Sequence, residues 1–219
     1  MKMTHPVLFF SLIAINFVLA REASSEFKIV KFNISDSAEI DNEYVRVYKN
    51  YAACQTAQTP GFSTRVIVAL TNVNIESSKG AVNLERGQIA VFRSEESYES
   101  PVGEYFEVAF KINYPPLKSP EEWIEPIKNT IIYEDEQFRV FEERLEPGDD
   151  RELHSHAQRI VVRLNEVKLT DPRFNPSGTS KGGIQIPNTV KFAEPIVHVV
   201  RNLSKIPLFN IVIEFKISH

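Results

Sequence analysis

Gly148-Asp149-Asp150-Arg151-Glu152-Leu153-His154-Ser155-His156-Ala157-Gln158-Arg159-Ile160-Val161-Val162-Arg163-Leu164 runs from a glycine turn, through two histidines one residue apart, into a β-branched apolar segment. Side chains alternate between the faces of a strand, so residues two apart point the same way. If the histidines begin the strand that ends at Leu164, then His154, His156, Gln158, Ile160, Val162 and Leu164 form one row. That row turns apolar and is expected to line a barrel interior, with two imidazoles at its mouth. His198 follows a later strand and is placed to close the set from across the barrel. Neutral imidazoles grouped in this way are good ligands for first-row transition metals. An isolated His-x-His is a weak signal; the third histidine and the barrel context give it weight.

The rest of the chain supplies that context. Short alternating or β-branched runs, such as Phe27–Ile34, Tyr44–Tyr48, Arg65–Leu70, Tyr105–Ile112, Phe138–Leu145 and Leu208–Ile217, are separated by Gly, Pro, Asn and Ser clusters. This spacing predicts an all-β sandwich or barrel. The runs also repeat in order. Asn42–Tyr48 matches Asp135–Phe141, Thr64–Leu70 matches Gln158–Leu164, Gly87–Phe92 matches Pro187–Phe192, and Tyr105–Ile112 matches the segment from Leu208 to Ile217. An ordered series of matches points to internal duplication, with a loop insertion in the second copy at Phe174–Gly183. Pro115, Pro116, Pro120 and Pro126 lie between the copies, and proline cannot donate to a sheet ladder. The expected division is residues 21–113 for the first barrel, 114–128 for a linker and 129–219 for the second barrel. Trp123 in the linker is expected to pack onto a lobe.

The second copy resembles a cupin domain. The cupin superfamily carries a first motif of the form G-x5-H-x-H-x3-4-E-x6-G. Here Gly148 precedes His154-Ser155-His156 by the same spacing, and Arg144-Leu145-Glu146-Pro147-Gly148 resembles the strand and turn leading into it. Pro187, the segment Phe192-Ala193-Glu194-Pro195-Ile196-Val197-His198, and Asn202 resemble the second motif. The resemblance implies two tandem jelly-roll barrels (double-stranded β-helices). In the second, His154, His156 and His198 would hold a divalent transition metal: iron, manganese, nickel or zinc. It further implies dioxygenase or isomerase/lyase chemistry on a small molecule, or else a non-catalytic storage-type or sugar-binding protein. The family's glutamate ligand falls at Ile160 or Val161, so the acidic ligand is missing. Gln158 is the candidate replacement, as a fourth ligand or a substrate contact, with a hydrogen bond to the barrel rim as the alternative. Arg144 and Glu194 are weaker candidates to orient a substrate. In the first copy the positions of the three histidines become Pro60, Phe62 and Tyr98, so that lobe is expected to bind no metal.

The first twenty residues read as a secretory signal, with Lys2 before an apolar run from Val7 to Ala20. The run falls short of the roughly 20 apolar residues that span a bilayer comfortably. Cleavage after Ala20 and export to a periplasm or the cell exterior are therefore expected. A balance of 25 Lys and Arg against 29 Asp and Glu, a formal charge of −4, argues against a nucleic-acid partner. No basic cluster suggests binding to anionic lipid. Cys54 is the single cysteine, which excludes an internal disulfide framework; it reads as a small buried hydrophobe or a pairing thiol. Glu142-Glu143 and Asp149-Asp150 read as solvated charges. Asn33-Ile34-Ser35 and Asn202-Leu203-Ser204 are glycosylation sequons that matter only in a eukaryotic secretory pathway. Homodimer formation through edge strands remains open.

Overall fold

The structure, a computed structural model, describes residues 38–49, 61–99, 101–125, 129–170 and 183–216, and every regular element among them is a strand. The expected signal segment, Cys54, Pro60 and the first sequon lie outside the described residues. The first repeat holds β1 (Ile40–Asp41), β2 (Val45–Lys49), β3 (Phe62–Ala69), β4 (Val73–Ser77), β5 (Gly80–Leu84), β6 (Ile89–Arg93) and β7 (Tyr105–Lys111). The second holds β8 (Asn129–Glu134), β9 (Phe138–Leu145), β10 (Asp150–His156), β11 (Arg159–Arg163), β12 (Val167–Thr170), β13 (Gly183–Gln185), β14 (Thr189–Ala193), β15 (Ile196–Asn202) and β16 (Leu208–Phe215).

Two five-stranded antiparallel sheets, β1-β2-β7-β3-β6 and β8-β9-β16-β11-β14, have the same strand order once each element is replaced by its counterpart. A four-stranded sheet, β10-β15-β12-β13, covers the polar side of the second, and the β4-β5 hairpin belongs to the first repeat. The repeat is legible in the sheet except for one slip. Phe92 pairs with Arg65, but it is Ala193, not Phe192, that pairs with Arg159. The match of Gly87–Phe92 to Pro187–Phe192 is therefore one residue out of register, and a one-residue slip exchanges the faces of a strand. Phe92 packs inside the first barrel, whereas Phe192 packs on the opposite kind of face, against the core between the two sheets.

That shared core joins the repeats. Val45, Val47, Val66, Val68, Phe106, Val108 and Phe110 of the first sheet meet Phe138, Val140, Ile160, Val162, Ile211, Ile213 and Phe215 of the second. Phe110 stacks on Phe138 with centroids 4.6 Å apart and meets Phe215 edge-on at 5.3 Å. Polar ties rim the contact. Arg93 bonds Asp135 at 2.7 Å, and Arg86 donates to the carbonyls of Leu70 and Leu164. Gly87 takes φ +85°, and a Cβ there would stand 2.7 Å from the Phe209 ring, so both its backbone and the close approach demand glycine.

The placement of Ile160, Val162 and Leu164 in this core corrects one expectation. The histidines and these residues do not form one row. The strand breaks at Ala157-Gln158, and β10 and β11 belong to different sheets. The apolar row faces the other repeat. The opposite face of β9, β16 and β11 carries Arg139, Phe141, Glu143, Asn210, Glu214 and Arg159, and it is this polar face that meets the histidines.

Inside the first barrel Ile67, Ala69, Val73, Ile75, Phe92 and Tyr105 form an apolar cluster beside the buried Arg65 and Glu107. Tyr98 is buried there, 4.3 Å from Phe92 between centroids and beneath the Arg65 guanidinium at 4.5 Å. Phe62 lies part-exposed near the Arg46 guanidinium. Because the core is shared, a cavity in the first repeat should weaken the second. Phe110→Ala should cost about 3–5 kcal/mol of unfolding free energy. The measurement is urea unfolding followed by the fluorescence of Trp123, the sole tryptophan, which lies against Arg139 of the second repeat. Its midpoint should fall; an unmoved Trp123 transition would show that the halves unfold independently.

Candidate metal centre

Register places the imidazoles. His154 of β10 lies directly across from His198 of β15, and directly paired residues share a face of the sheet. His156, two residues along, points the same way. The ligand-capable atoms of the three lie within 4.8 Å of one another. Ring centroids are 4.5 Å apart for His154 and His198, 4.8 Å for His154 and His156, and 5.5 Å for His156 and His198. A register shift between Arg151 and His154 marks a bulge just before the pair, a device that re-aims side chains.

Each tautomer follows from its partner. Nδ1 of His154 lies 2.7 Å from the carbonyl of Glu152, which can only accept, so Nδ1 carries the proton and Nε2 keeps its lone pair. That Nε2 is buried and makes no hydrogen bond. A buried polar atom without a partner calls for an explanation, and a cation at the centre of the cluster supplies one. His156 Nδ1 lies 2.8 Å from the Glu214 carboxylate and donates to it, which likewise leaves Nε2 for a ligand. Burial is the largest influence on both rings and holds their pKa values below the ordinary one, well below for His156, which also feels Arg159. Neutral rings with free Nε2 atoms are what a divalent transition metal requires, and the donor set fits one.

Behind the histidines stands a network that sequence reading missed. The Glu214 side chain is 1% exposed, and Arg139 bonds it through Nε at 3.1 Å and Nη2 at 2.7 Å. Burial raises the Glu214 carboxyl above its usual range, against the pull of Arg139. Arg139 also reaches Glu125 at 3.1 Å and lies 5.4 Å from the Trp123 ring, so the linker is tied to the centre. Ile124 continues the tie, pairing its backbone with Ser155 between the two histidines. Glu143 is not solvated, as its sequence neighbourhood suggested. It is buried, bonded to Arg151 at 2.9 Å and to Asn210 at 2.8 Å. Burial pushes its carboxyl up, but the Arg151 charge, then His156 and Asn210, bring it below its ordinary value. Phe141 lies parallel to the His156 ring with centroids 6.0 Å apart.

The remaining candidates lie around the centre. Gln158 is fully buried; its Oε1 accepts from the Lys118 N–H at 2.9 Å, and its Nε2 donates to Glu194 at 3.4 Å. Glu194 is largely exposed and paired with Lys118. Arg144 lies on the face of β9 opposite Glu143, exposed, bonded to Glu142 and 4.1 Å from the Phe209 ring. Of the two residues at the expected glutamate position, Ile160 is fully buried in the shared core and Val161 is on the polar face, and neither side chain can ligate a metal. Asn202 is fully buried, its Nδ2 donating to the carbonyls of Leu145 and Ile206, so the second sequon is closed to a glycan in the folded protein.

No family model matches the sequence, and no curated protein matches it. Solved structures do. A Pseudomonas aeruginosa protein described as glyoxylate-induced superposes with a TM-score of 0.56 at 9% identity, covering 84% of this chain and 79% of that one. The salicylate 1,2-dioxygenase of Pseudoaminobacter salicylatoxidans superposes with a TM-score of 0.51 at 6% identity, covering 78% and 68%. A cupin 2 conserved barrel protein from Leptotrichia buccalis aligns over 81% of this chain and 86% of its own, at 9% identity and a TM-score of 0.48. The identities are low enough that the likeness speaks for fold alone. The chain shares the fold of the two structures that superpose with TM-scores above 0.5, and that fold is all-β, two jelly-roll barrels in tandem.

Proposed function

We propose that this chain is an exported protein that binds a divalent transition metal through His154, His156 and His198 and acts on a small molecule held beside it. The observation that carries the proposal is the convergence of three imidazoles whose ligand atoms lie within 4.8 Å of one another, His154 with a buried Nε2 that makes no hydrogen bond. Export rests on the apolar segment ending at Ala20; N-terminal sequencing of the protein from its native source tests it, and a start near Arg21 is expected. Iron, manganese, nickel and zinc all suit an imidazole set. When bound, such a metal supplies Lewis-acid polarisation of a ligand oxygen.

The chain's own part is to fix the ligands. The Glu152 carbonyl and the Glu214 carboxylate hold protons on the outward nitrogens of His154 and His156, and both rings present lone pairs inward. Arg139 holds Glu214 in place. Phe141, His154 and His156 are buried, and His198 is half-buried. Three neutral ligands leave the cation at its full charge and leave coordination positions open, as a catalytic site needs. Dioxygen chemistry, the activity of the salicylate dioxygenase that shares the fold, is one reaction class for such a site; metal-assisted isomerisation or elimination is the other. A non-catalytic sugar-binding or storage role is the second reading, and it is favoured by the apolar Ile160 and Val161 where the family has an acidic ligand.

Elemental mass spectrometry on untagged protein, beside a His154→Ala/His156→Ala variant, tests the proposal. Near one transition metal per chain is expected, lost in the variant. Protein that holds no metal even after incubation with iron, manganese, nickel or zinc would leave the ligand-binding reading. Glu214→Gln should weaken metal affinity about 10- to 100-fold, because it removes the carboxylate that orients His156. Competition with a chromogenic chelator reads this, and unchanged affinity would deny Glu214 that role.

A further inference from the structure

Three cations share the polar face of the second barrel, and among the described residues none of them is in an ion pair, although Glu143 and Glu214 lie near enough to Arg159 to act on its charge. Arg159 lies opposite Glu214, the residue that touches His156, so its side chain belongs to the face that meets the histidines. Val161 and Arg163 follow on β11, and alternation puts Arg163 on that face as well. Lys191 pairs directly with Val161 across β14 and so joins them. Exposure rises from buried Arg159 to half-buried Arg163 to exposed Lys191, which lies on the neighbouring strand level with Val161 between the two arginines.

Elsewhere in this barrel buried cations are matched. Arg139 has Glu214 at 2.7 Å, and Arg151 has Glu143 at 2.9 Å. Among the described residues, Arg159, Arg163 and Lys191 form no ion pair. Arg159 instead uses Nη1 to bond the carbonyls of Ala157 at 3.2 Å and Glu194 at 3.0 Å, which fixes the guanidinium, and burial lowers its pKa against the more distant charges of Glu143 and Glu214. Burial lowers the pKa of Arg163, and burial followed by the nearby charges of Arg163 and Arg159 lowers that of Lys191. Grouping cations in a partly dry place costs free energy that an incoming anion would return.

The repeat provides an internal control. Arg65 occupies the place of Arg159, but the positions of Arg163 and Lys191, read from the same pairings, are Ala69 and Ala90. Those alanines belong to the apolar cluster inside the first barrel. The strip is thus confined to the barrel that has the histidines.

We infer that Arg159, Arg163 and Lys191 bind the carboxylate of a small organic acid and hold it beside the histidine cluster; this rests on the reading of that cluster as a small-molecule site. Guanidinium groups suit the task because their planar donors match a carboxylate in pairs. The substrate class is then an organic anion, and the strip sets its orientation relative to the three imidazoles.

Isothermal titration with malonate, its neutral diamide malonamide, and inorganic phosphate tests this on chelator-treated and metal-loaded protein. Wild-type protein should bind malonate at least about tenfold more tightly than either alternative. Arg163→Gln/Lys191→Gln, and Lys191→Gln alone as a milder variant on an exposed side chain, should lose that preference at unchanged metal content. Malonate bound by metal-free protein and lost in the variants would support the strip even if the metal reading failed. Equal binding of malonate and malonamide, tighter binding of phosphate, or malonate bound only by metal-loaded protein and equally by the variants would overturn it.

Discussion

The candidate centre depends on one buried carboxylate. Glu214 sits between His156 and Arg139 with its side chain 1% exposed, where an unpaired charge would cost several kcal/mol. Arg139 and His156 together satisfy it, and in doing so they set the tautomer of His156 and anchor the linker through Glu125. Removing any member leaves another buried group without its partner. The arrangement is therefore cooperative, and it accounts for a rigid histidine that presents its lone pair inward.

One sheet does two jobs. Alternation along β9, β11 and β16 sends Phe138, Val140, Ile160, Ile211, Ile213 and Phe215 toward the first repeat, and sends Arg139, Glu143, Arg159, Asn210 and Glu214 toward the histidines. The apolar face rigidifies the polar one. The first repeat uses the same frame differently. Ala109, across from Arg65, stands where Glu214 stands across from Arg159. The buried acid of the first barrel is Glu107, beside Tyr98 and Arg65, and that barrel packs on the second through the shared core.

The sequence made the outline legible and hid the support. Period-2 runs and the ordered repeat pointed to two all-β halves, because strand alternation is a local property. The His154-Ser155-His156 pair and His198 were findable for the same reason, and the structure brings them together across a single strand pair. The presumed row from His154 to Leu164 failed because two residues, Ala157 and Gln158, carry the chain from one sheet to another, and no periodicity announces such a step. Glu143 looked solvated beside Glu142 because its partners, Arg151 and Asn210, come from other strands. Glu214 lies in Ile-Val-Ile-Glu-Phe, where a lone acid in an apolar run was itself the overlooked signal: a charge at an inward position needs a buried partner. Gln158 was noticed, but its bonds to Lys118 and Glu194 depend on where the linker runs.

The most direct test of the account is X-ray absorption at the K-edge of the metal-loaded protein. The account predicts about three imidazole nitrogens near 2.1 Å around the metal, the distance typical of histidine ligation, with the remaining positions filled by light-atom donors. A first shell made only of oxygen, or one with a single imidazole, would show that the three histidines do not act together and would contradict the centre described for this barrel.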